Sequence, residues 1–178
     1  MKFPLLLNVL LKKKRLVDNM NFKIVLKDEY LLNKDKYLSD IKYLYLDDDN
    51  KFADIDEISR HLDFIFNLSN SLLVLLYDSD KLVCMVNSYL YNSISNDWCV
   101  FSLFTKKDYR GKGLGYKTLK FIVEEIKKYN PNMIVSGIEE DNISSIKVHE
   151  SVGFKNSFMK WNEIDEGFPD DYLGFIIK

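Results

Sequence analysis

Three strand-like segments followed by a glycine-rich turn constrain the fold of this chain more than any other feature. The run SLLVLLY at 71–77 is continuously apolar, is too short for an ordinary helix and is closed by the turn residues DSD, which predicts a buried strand. Segments 82–91 and 98–105 also have strand character, so the three predict an antiparallel meander. The turn RGKGLG at 110–115 then opens an amphipathic helix that ends near residue 130.

The segments around this unit complete a mixed sheet. A strand at 133–138 follows the helix, and a right-handed crossover makes it a parallel neighbour of the strand that ends at Thr105. The other predicted elements are strands at 22–27, 155–162 and 172–177 and helices at 29–46, 54–68 and 142–152. The predicted class is therefore α+β: an antiparallel meander followed by a parallel strand pair, with helices on both faces of the sheet.

Charge is nearly balanced overall but is unevenly spread. The 178 residues carry 25 Lys+Arg and 27 Asp+Glu, a net charge of -2, so the sequence predicts no nucleic-acid partner. Residues 28–63 carry five basic and eleven acidic side chains. The acidic cluster within them is either a solvated loop and helix start or an electrostatic funnel for a cationic substrate. It comprises Asp47, Asp48, Asp49, Asp54, Asp56 and Glu57.

Cysteines and histidines are few and scattered. Cys84 and Cys99 lie inside apolar runs and form no CxxC pair, which is typical of buried, reduced thiols. The two histidines are His61 and His149. These soft ligands do not cluster, so the sequence predicts no metal site.

Residues 1–21 form a basic and apolar extension ahead of a predicted domain at 22–178. A proline and an asparagine interrupt the apolar part, no small-x-small cleavage site follows, and the basic cluster at 12–15 lies after it, so a secretion signal is not predicted. The apolar part is also shorter than the roughly 20 residues that span a bilayer. We expect a cytoplasmic protein without stable membrane insertion, and a segment that docks on a membrane surface or a partner is the alternative.

The glycine-rich turn can hold a phosphate. Amides at a helix N-terminus are unpaired and carry partial positive charge, and glycines let them approach an anion closely. The turn is not a P-loop, because Gly113 follows its Gly-Lys pair where Ser or Thr is required. It also departs from the Rossmann spacing, so nucleotide binding is disfavoured. A tight turn without a ligand is the structural alternative.

The turn and a second motif resemble the GNAT-type N-acetyltransferase superfamily. That superfamily has an Arg/Gln-x-x-Gly-x-Gly/Ala turn after its fourth strand, and Arg110, Gly113 and Gly115 match it. The resemblance is best over 71–178. Residues 22–70 fit only by the order of their elements.

The second motif lies some 27 residues after the turn. The superfamily pattern is Asn-x-x-Ala-x-x-x-Tyr-x-x-x-Gly-Phe, and this chain reads NISSIKVHESVGF. The segment keeps Asn142, Gly153 and Phe154, and it has Ser145 in place of the alanine and His149 in place of the tyrosine.

The resemblance implies acetyl-CoA as cofactor, with coenzyme A as product. The backbone of 103–105 would pair with the pantetheine arm, the amides of 110–116 would hold the pyrophosphate, and Asn142 would either bond the pantetheine or cap its helix. The implied cofactor-binding residues are Leu103, Phe104, Thr105, Arg110, Gly111, Lys112, Gly113, Leu114, Gly115, Tyr116, Asn142, Ser145 and Lys147.

The implied reaction is acetyl transfer to a primary amine of a small cationic molecule or a protein, by direct attack in a ternary complex. The Phe104 N–H would stabilise the oxyanion. His149 is the catalytic candidate, because it replaces the tyrosine that protonates the leaving thiolate; the alternative is a half-exposed histidine that only borders the cofactor. No general base is identified, and His61 is interpreted as structural.

A second function from another class stays open. The missing base and the Tyr-to-His change are also compatible with a non-catalytic acyl-CoA-binding sensor or docking module. Turnover of a thioester with any amine separates the two functions. The sequence allows a homodimer.

Overall fold

A single mixed sheet with helices packed on both faces forms the described part of the fold. The computed structural model describes residues 20–45, 54–68, 70–160 and 172–178, and in these the seven strands form one sheet in the order β1-β2-β3-β4-β5-β7-β6. The strands are β1 Met20–Val25, β2 Ser71–Asp78, β3 Lys81–Asn92, β4 Asp97–Thr105, β5 Met133–Glu139, β6 Lys155–Lys160 and β7 Tyr172–Ile177. The helices are α1 Lys27–Leu32, α2 Lys34–Tyr45, α3 Ile55–Asn67, α4 Leu114–Lys127 and α5 Ile143–Val152, with a 3-10 turn at Lys107–Tyr109. The predicted α+β class is confirmed.

Among the strands of the described residues, β4 and β5 alone are parallel neighbours, as predicted. Their pairing covers three residue pairs and ends at Cys99 and Val135. Beyond that point β4 continues to Thr105 and β5 to Glu139 without pairing to each other. The two strands therefore diverge toward their carboxyl ends and leave a gap in the middle of the sheet.

Helices cover both faces of the sheet, which explains the continuous apolar run of β2. Leu73 and Leu75 belong to a core with side chains of α1, α2 and α3. Leu72 and Val74 belong to a second core with side chains of α4. Because successive residues of a strand point to opposite faces, a strand buried on both sides cannot alternate between apolar and polar residues.

The predicted helix at 29–46 is two helices. The break is at Asn33, whose backbone leaves the helical region at φ -127° and ψ 26°. Its side-chain amide donates to the carbonyl of Glu29 at 3.1 Å. Asparagine competes in this way with the helical backbone bonds, so it favours helix ends.

Three tyrosine–carboxylate–lysine triplets join the first helices to each other and to the sheet. In each triplet one carboxylate accepts from a tyrosine hydroxyl and pairs with a lysine ammonium. The triplets are Tyr30–Asp63–Lys34, Tyr37–Glu29–Lys23 and Tyr77–Asp40–Lys36. Burial and a neighbouring carboxylate raise the pKa of Tyr30 and of Tyr77, so both hydroxyls remain donors.

Some predicted features lie outside the residues that the structure describes. They are the extension up to residue 19, the acidic residues 47–49 and the end of the predicted strand at 161–162. Among the helices in the described part of the chain, none is both long enough and apolar enough to cross a bilayer.

Candidate active site

The gap between β4 and β5 opens into a cavity of 560 Å³. Residues 101–104 of β4 and 136–139 of β5 form its two sides. Side chains of α2 and α3 line it from one face of the sheet, and α5 and β7 contribute the remaining walls. The cavity thus connects the second motif on α5 with the helices on the other side.

The glycine-rich turn has the conformation that its composition predicts. Gly111 and Gly113 have φ values of 70° and 76°, a region that side chains other than glycine rarely adopt. Gly113 is the N-cap of α4 and gives it no side-chain cap, and a Cβ at either glycine would meet nothing within 4 Å. Leu114, Gly115 and Tyr116 begin the helix. The amides of its first turn are therefore suited to an anion such as a pyrophosphate.

Beyond its pairing with β5, β4 has a free edge, and every second backbone N–H of the strand faces it. The amide of Lys106 donates to the carbonyl of Val83 on β3 at 2.9 Å. Because backbone directions alternate along a strand, the Phe104 N–H also faces β3, whereas the amides of Leu103 and Thr105 face the gap. This corrects the expectation that Phe104 donates to the oxyanion.

Three basic side chains implied as cofactor ligands have different positions. The Arg110 Nε donates to the Thr105 carbonyl at 3.0 Å, at the end of β4. The Lys112 Nζ donates to the Asp108 carbonyl at 2.7 Å, so it closes the turn on itself. Lys147 is exposed on α5 and is not part of the cavity wall.

The start of α5 lies at the cavity. Asn142 Oδ1 accepts from the Ser145 amide at 3.1 Å and from the Ser144 hydroxyl at 3.1 Å, so Asn142 is the N-cap of the helix. Asn142 and Ser145 also line the cavity. The capping role is thus present in the structure, and the pantetheine role remains a prediction.

His149 is buried, not half-exposed, with 3% of its surface accessible. Its Nδ1 lies 2.9 Å from the Ser145 carbonyl, which can only accept, so Nδ1 carries the ring proton. Nε2 then accepts from the Ser136 hydroxyl at 3.1 Å. Burial lowers the pKa of His149 to about 4, so the ring is neutral near pH 7.

The opposite wall contains a histidine for which the sequence predicts only a structural role. His61 and Glu57, one turn apart on α3, both line the cavity. The His61 Nε2 lies 3.4 Å from the Ser102 Oγ on β4. The four-residue spacing from Glu57 is the one sequence signal that places both side chains on a common helix face.

The cavity is acidic. Its charged lining residues in the described part of the chain are Glu57 and Glu139, with no lysine or arginine among them. The Tyr172 hydroxyl donates to Glu139 at 2.8 Å, which orients this carboxylate at the end of β5.

The architecture is a mixed sheet whose strands diverge beside a helix that begins at a glycine. A model of a known protein family matches the sequence over most of this architecture. The model of the Acetyltransferase (GNAT) family matches residues 38–154. The chain therefore belongs to this family, which confirms the resemblance seen in the two motifs.

Particular relatives are similar over different lengths. The L-amino acid N-acyltransferase MnaT of Escherichia coli K12 is 38% identical over 53 residues, which are 30% of this chain and 31% of that protein. The match thus spans about a third of the length of this curated relative. Among solved structures, Salmonella typhimurium yncA with its cofactor acetyl-CoA has a TM-score of 0.64 at 18% identity, over 90% of this chain and 94% of that one.

A mutant of the spermidine N-acetyltransferase SpeG from Vibrio cholerae has the same degree of likeness. Its TM-score is 0.64 at 14% identity, over 90% of this chain and 94% of that one. At this level of identity the two solved structures establish a common fold.

Proposed function

We propose that the protein is an N-acetyltransferase that moves an acetyl group from acetyl-CoA to a primary amine of a small cationic molecule or a protein. The amine attacks the thioester directly while both substrates are bound. The observation that carries this proposal is the divergence of β4 and β5 beside the glycine-capped α4. It leaves room for an extended ligand between two strands and an anion site at one end of it.

Residues of this chain supply each part of the acetyl-CoA site. The amides of 110–116 hold the pyrophosphate, and the backbone of 103–105 pairs with the pantetheine arm as an added strand would. The amides of Leu103 and Thr105, which face the gap, are the donors available to the thioester oxygen. When bound, acetyl-CoA supplies the activated acetyl group.

The acidic wall supports a cationic acceptor. Glu57 and Glu139 line the cavity, and carboxylates attract an ammonium group and lower the cost of removing it from water. An amino-acid acceptor also presents a carboxylate, for which the described lining residues offer no cation. We therefore expect polyamines, aminoglycosides or lysine side chains to be better acceptors than free amino acids.

His149 is proposed to return a proton to the coenzyme A thiolate. The neutral ring accepts a proton at Nε2, which turns it from an acceptor into a donor toward the Ser136 hydroxyl 3.1 Å away. Both side chains line the cavity. A protonated ring with a pKa of about 4 is a strong, short-lived donor, so it acts as a relay and not as a stored acid.

The first experiment combines calorimetric titration of the purified protein with acetyl-CoA and a thiol-release assay. The amine panel contains spermidine, an aminoglycoside, a lysine peptide and L-methionine sulfone. We expect binding of acetyl-CoA and release with at least one of the first three. Glu57→Gln should raise KM for that amine about tenfold, since charge-assisted contacts contribute on the order of 1–2 kcal/mol, while Glu124→Gln on the exposed side of α4 should not.

The outcomes separate the competing functions. Binding without release from any amine supports the non-catalytic sensor. A preference for L-methionine sulfone contradicts the cationic acceptor but retains the transferase. Absence of acetyl-CoA binding contradicts both functions.

A further inference from the structure

The side of the cavity that α2 and α3 line, where the acceptor amine is proposed to bind, contains a histidine that has no role in the reaction described above. His61 lines the cavity from α3, and it also keeps an exposed surface. Its ring stands edge-on to Phe101 with the centroids 5.6 Å apart. One side chain thus reaches both the cavity interior and solvent, as a group that passes a proton between them must.

His61 contacts a strained residue of β4. Ser102 has a φ of 53° in the middle of the strand, a conformation that costs roughly 1–2 kcal/mol for a residue with a side chain. Asn87 pairs with Phe101, and the register shifts before Met85, so this part of β4 contains a β-bulge. Bulges of this kind redirect a side chain, and here the Ser102 hydroxyl lies 3.4 Å from the His61 Nε2.

The protonation state of His61 suits proton acceptance. Partial burial lowers its pKa below the ordinary value of 6.5, against an opposing effect of Glu57, so the ring is mostly neutral at pH 7. With its proton on Nδ1, the ring offers Nε2 as an acceptor on the side of Ser102. The Ser102 hydroxyl can donate to this nitrogen and hold the ring in place until an acceptor ammonium takes that position.

We propose that His61 is the general base of this protein and that Ser102 is its positioning residue. This inference rests on the proposed function. The acceptor ammonium gives one proton to Nε2 of His61, and the freed amine nitrogen forms a C–N bond with the thioester carbonyl carbon. The C–S bond breaks, the second proton of the nitrogen reaches the sulfur through the His149 relay, and His61 releases its own proton to solvent.

Among the described residues, five other titratable groups face this part of the cavity. They are Tyr45 on α2, Glu57 on α3, Glu139 on β5, His149 on α5 and Tyr172 on β7. Burial raises the pKa of Tyr45 to about 12 and lowers that of His149 to about 4. Because the pKa of His61 lies below 6.5, its protonation should lower the rate as the pH falls below that value, and the His61→Gln variant identifies this contribution.

The test is the pH profile of kcat/KM for the amine found in the thiol-release assay. We expect His61→Gln to lower kcat by about 100-fold or more, the usual contribution of a general base, and to remove the decline in rate that the wild type shows below pH 6.5. Ser102→Ala should lower kcat about tenfold and keep that decline. Added imidazole should restore part of the rate of His61→Ala in proportion to its neutral form. Titration with acetyl-CoA should give the same Kd, within a factor of two, for all three variants.

The matched control is Arg60→Gln, next to His61 on α3 but outside the cavity wall. It should leave rate and profile unchanged. A His61→Gln enzyme that keeps the wild-type rate and pH profile overturns the base and leaves the transferase standing. A wild-type protein that binds acetyl-CoA but releases no thiol with any amine overturns the transferase, and the base with it.

Discussion

At the residue scale, His149 is a titratable group held in one protonation state by its surroundings. Its Nδ1 donates to the Ser145 carbonyl and its Nε2 accepts from Ser136. The contact at Nε2 requires the neutral ring, whereas the one at Nδ1 is open to either protonation state. The unfolded chain has no such requirement, so protonation of this residue is linked to folding.

The free energy of unfolding should decrease as the pH falls from about 6.5 to 4. In this range the unfolded chain binds a proton at His149 that the folded chain, with a pKa of about 4, does not bind. The size is about 3 kcal/mol, because each unit of pKa difference corresponds to 1.36 kcal/mol. Urea denaturation at pH 7, 5.5 and 4.5 measures it.

The comparison variant for this prediction is His149→Gln, which keeps a polar side chain but does not titrate. Its stability should depend less on pH, so the advantage of the wild type should shrink by about 2–3 kcal/mol between pH 7 and 4.5. Parallel curves for the two proteins would show that His149 does not contribute.

How far the sequence predicts a residue's role depends on where its partner lies. The place of His149 in the second motif was visible from its spacing to Gly153 and Phe154. Its bond to Ser136 joins two elements and follows only from the fold. The sequence predicts only a structural role for His61, because its contact with Ser102, 41 residues away, depends on a bulge with no sequence signature.

At the element scale, two glycines at the start of α4 differ in whether their backbone conformation requires glycine. Gly113 has a φ of 76°, whereas Gly115 lies inside the helix. A Cβ on Gly115 would lie 3.5 Å from the Thr105 Oγ1, an ordinary contact. The first position requires glycine for its backbone, and the second does not.

Gly113→Ala should lower the free energy of unfolding by about 1–2 kcal/mol, the cost of a left-handed backbone for alanine. It should also weaken acetyl-CoA binding, because the turn that presents the amides is displaced. Gly115→Ala should be neutral or stabilising by up to about 1 kcal/mol, since alanine favours the helix. Urea denaturation and calorimetric titration measure the two effects, and equal destabilisation by both changes would contradict the assignment.

Strands and helices are predictable where the hydrophobic period of a segment agrees with the turn residues that bound it. The meander, the crossover helix and the last strand follow from apolar runs closed by turns. The break at Asn33 is not predictable from the sequence pattern, because the apolar spacing continues across it and only the local side-chain bond to Glu29 marks the interruption. The divergence of β4 and β5 could be expected only through the family resemblance, since both segments have ordinary strand patterns.

At the scale of the whole molecule, acetyl-CoA should change one region and leave the edges of the sheet as they are. Its contacts are proposed at 103–105 and 110–116, near the centre of the strand order. Hydrogen exchange with acetyl-CoA at 100 times its Kd should show slower exchange there, by up to the equivalent of about 2.7 kcal/mol. Under conditions in which local opening dominates exchange, β1 and β6 should show no change, and protection confined to either edge strand would contradict the site.

The two cores on opposite faces of the sheet have a consequence for divergence among relatives. One core holds α1, α2 and α3, of which α2 and α3 line the proposed acceptor side of the cavity. The three tyrosine–carboxylate–lysine triplets join these helices to one another and to the sheet. The other core holds α4, whose first turn is the proposed anion site. Substitutions in the first layer can alter which amine enters without repacking the second. Relatives with this architecture can therefore diverge in acceptor specificity by substitutions in the first layer alone, whereas a change of acyl donor requires changes in the sheet itself.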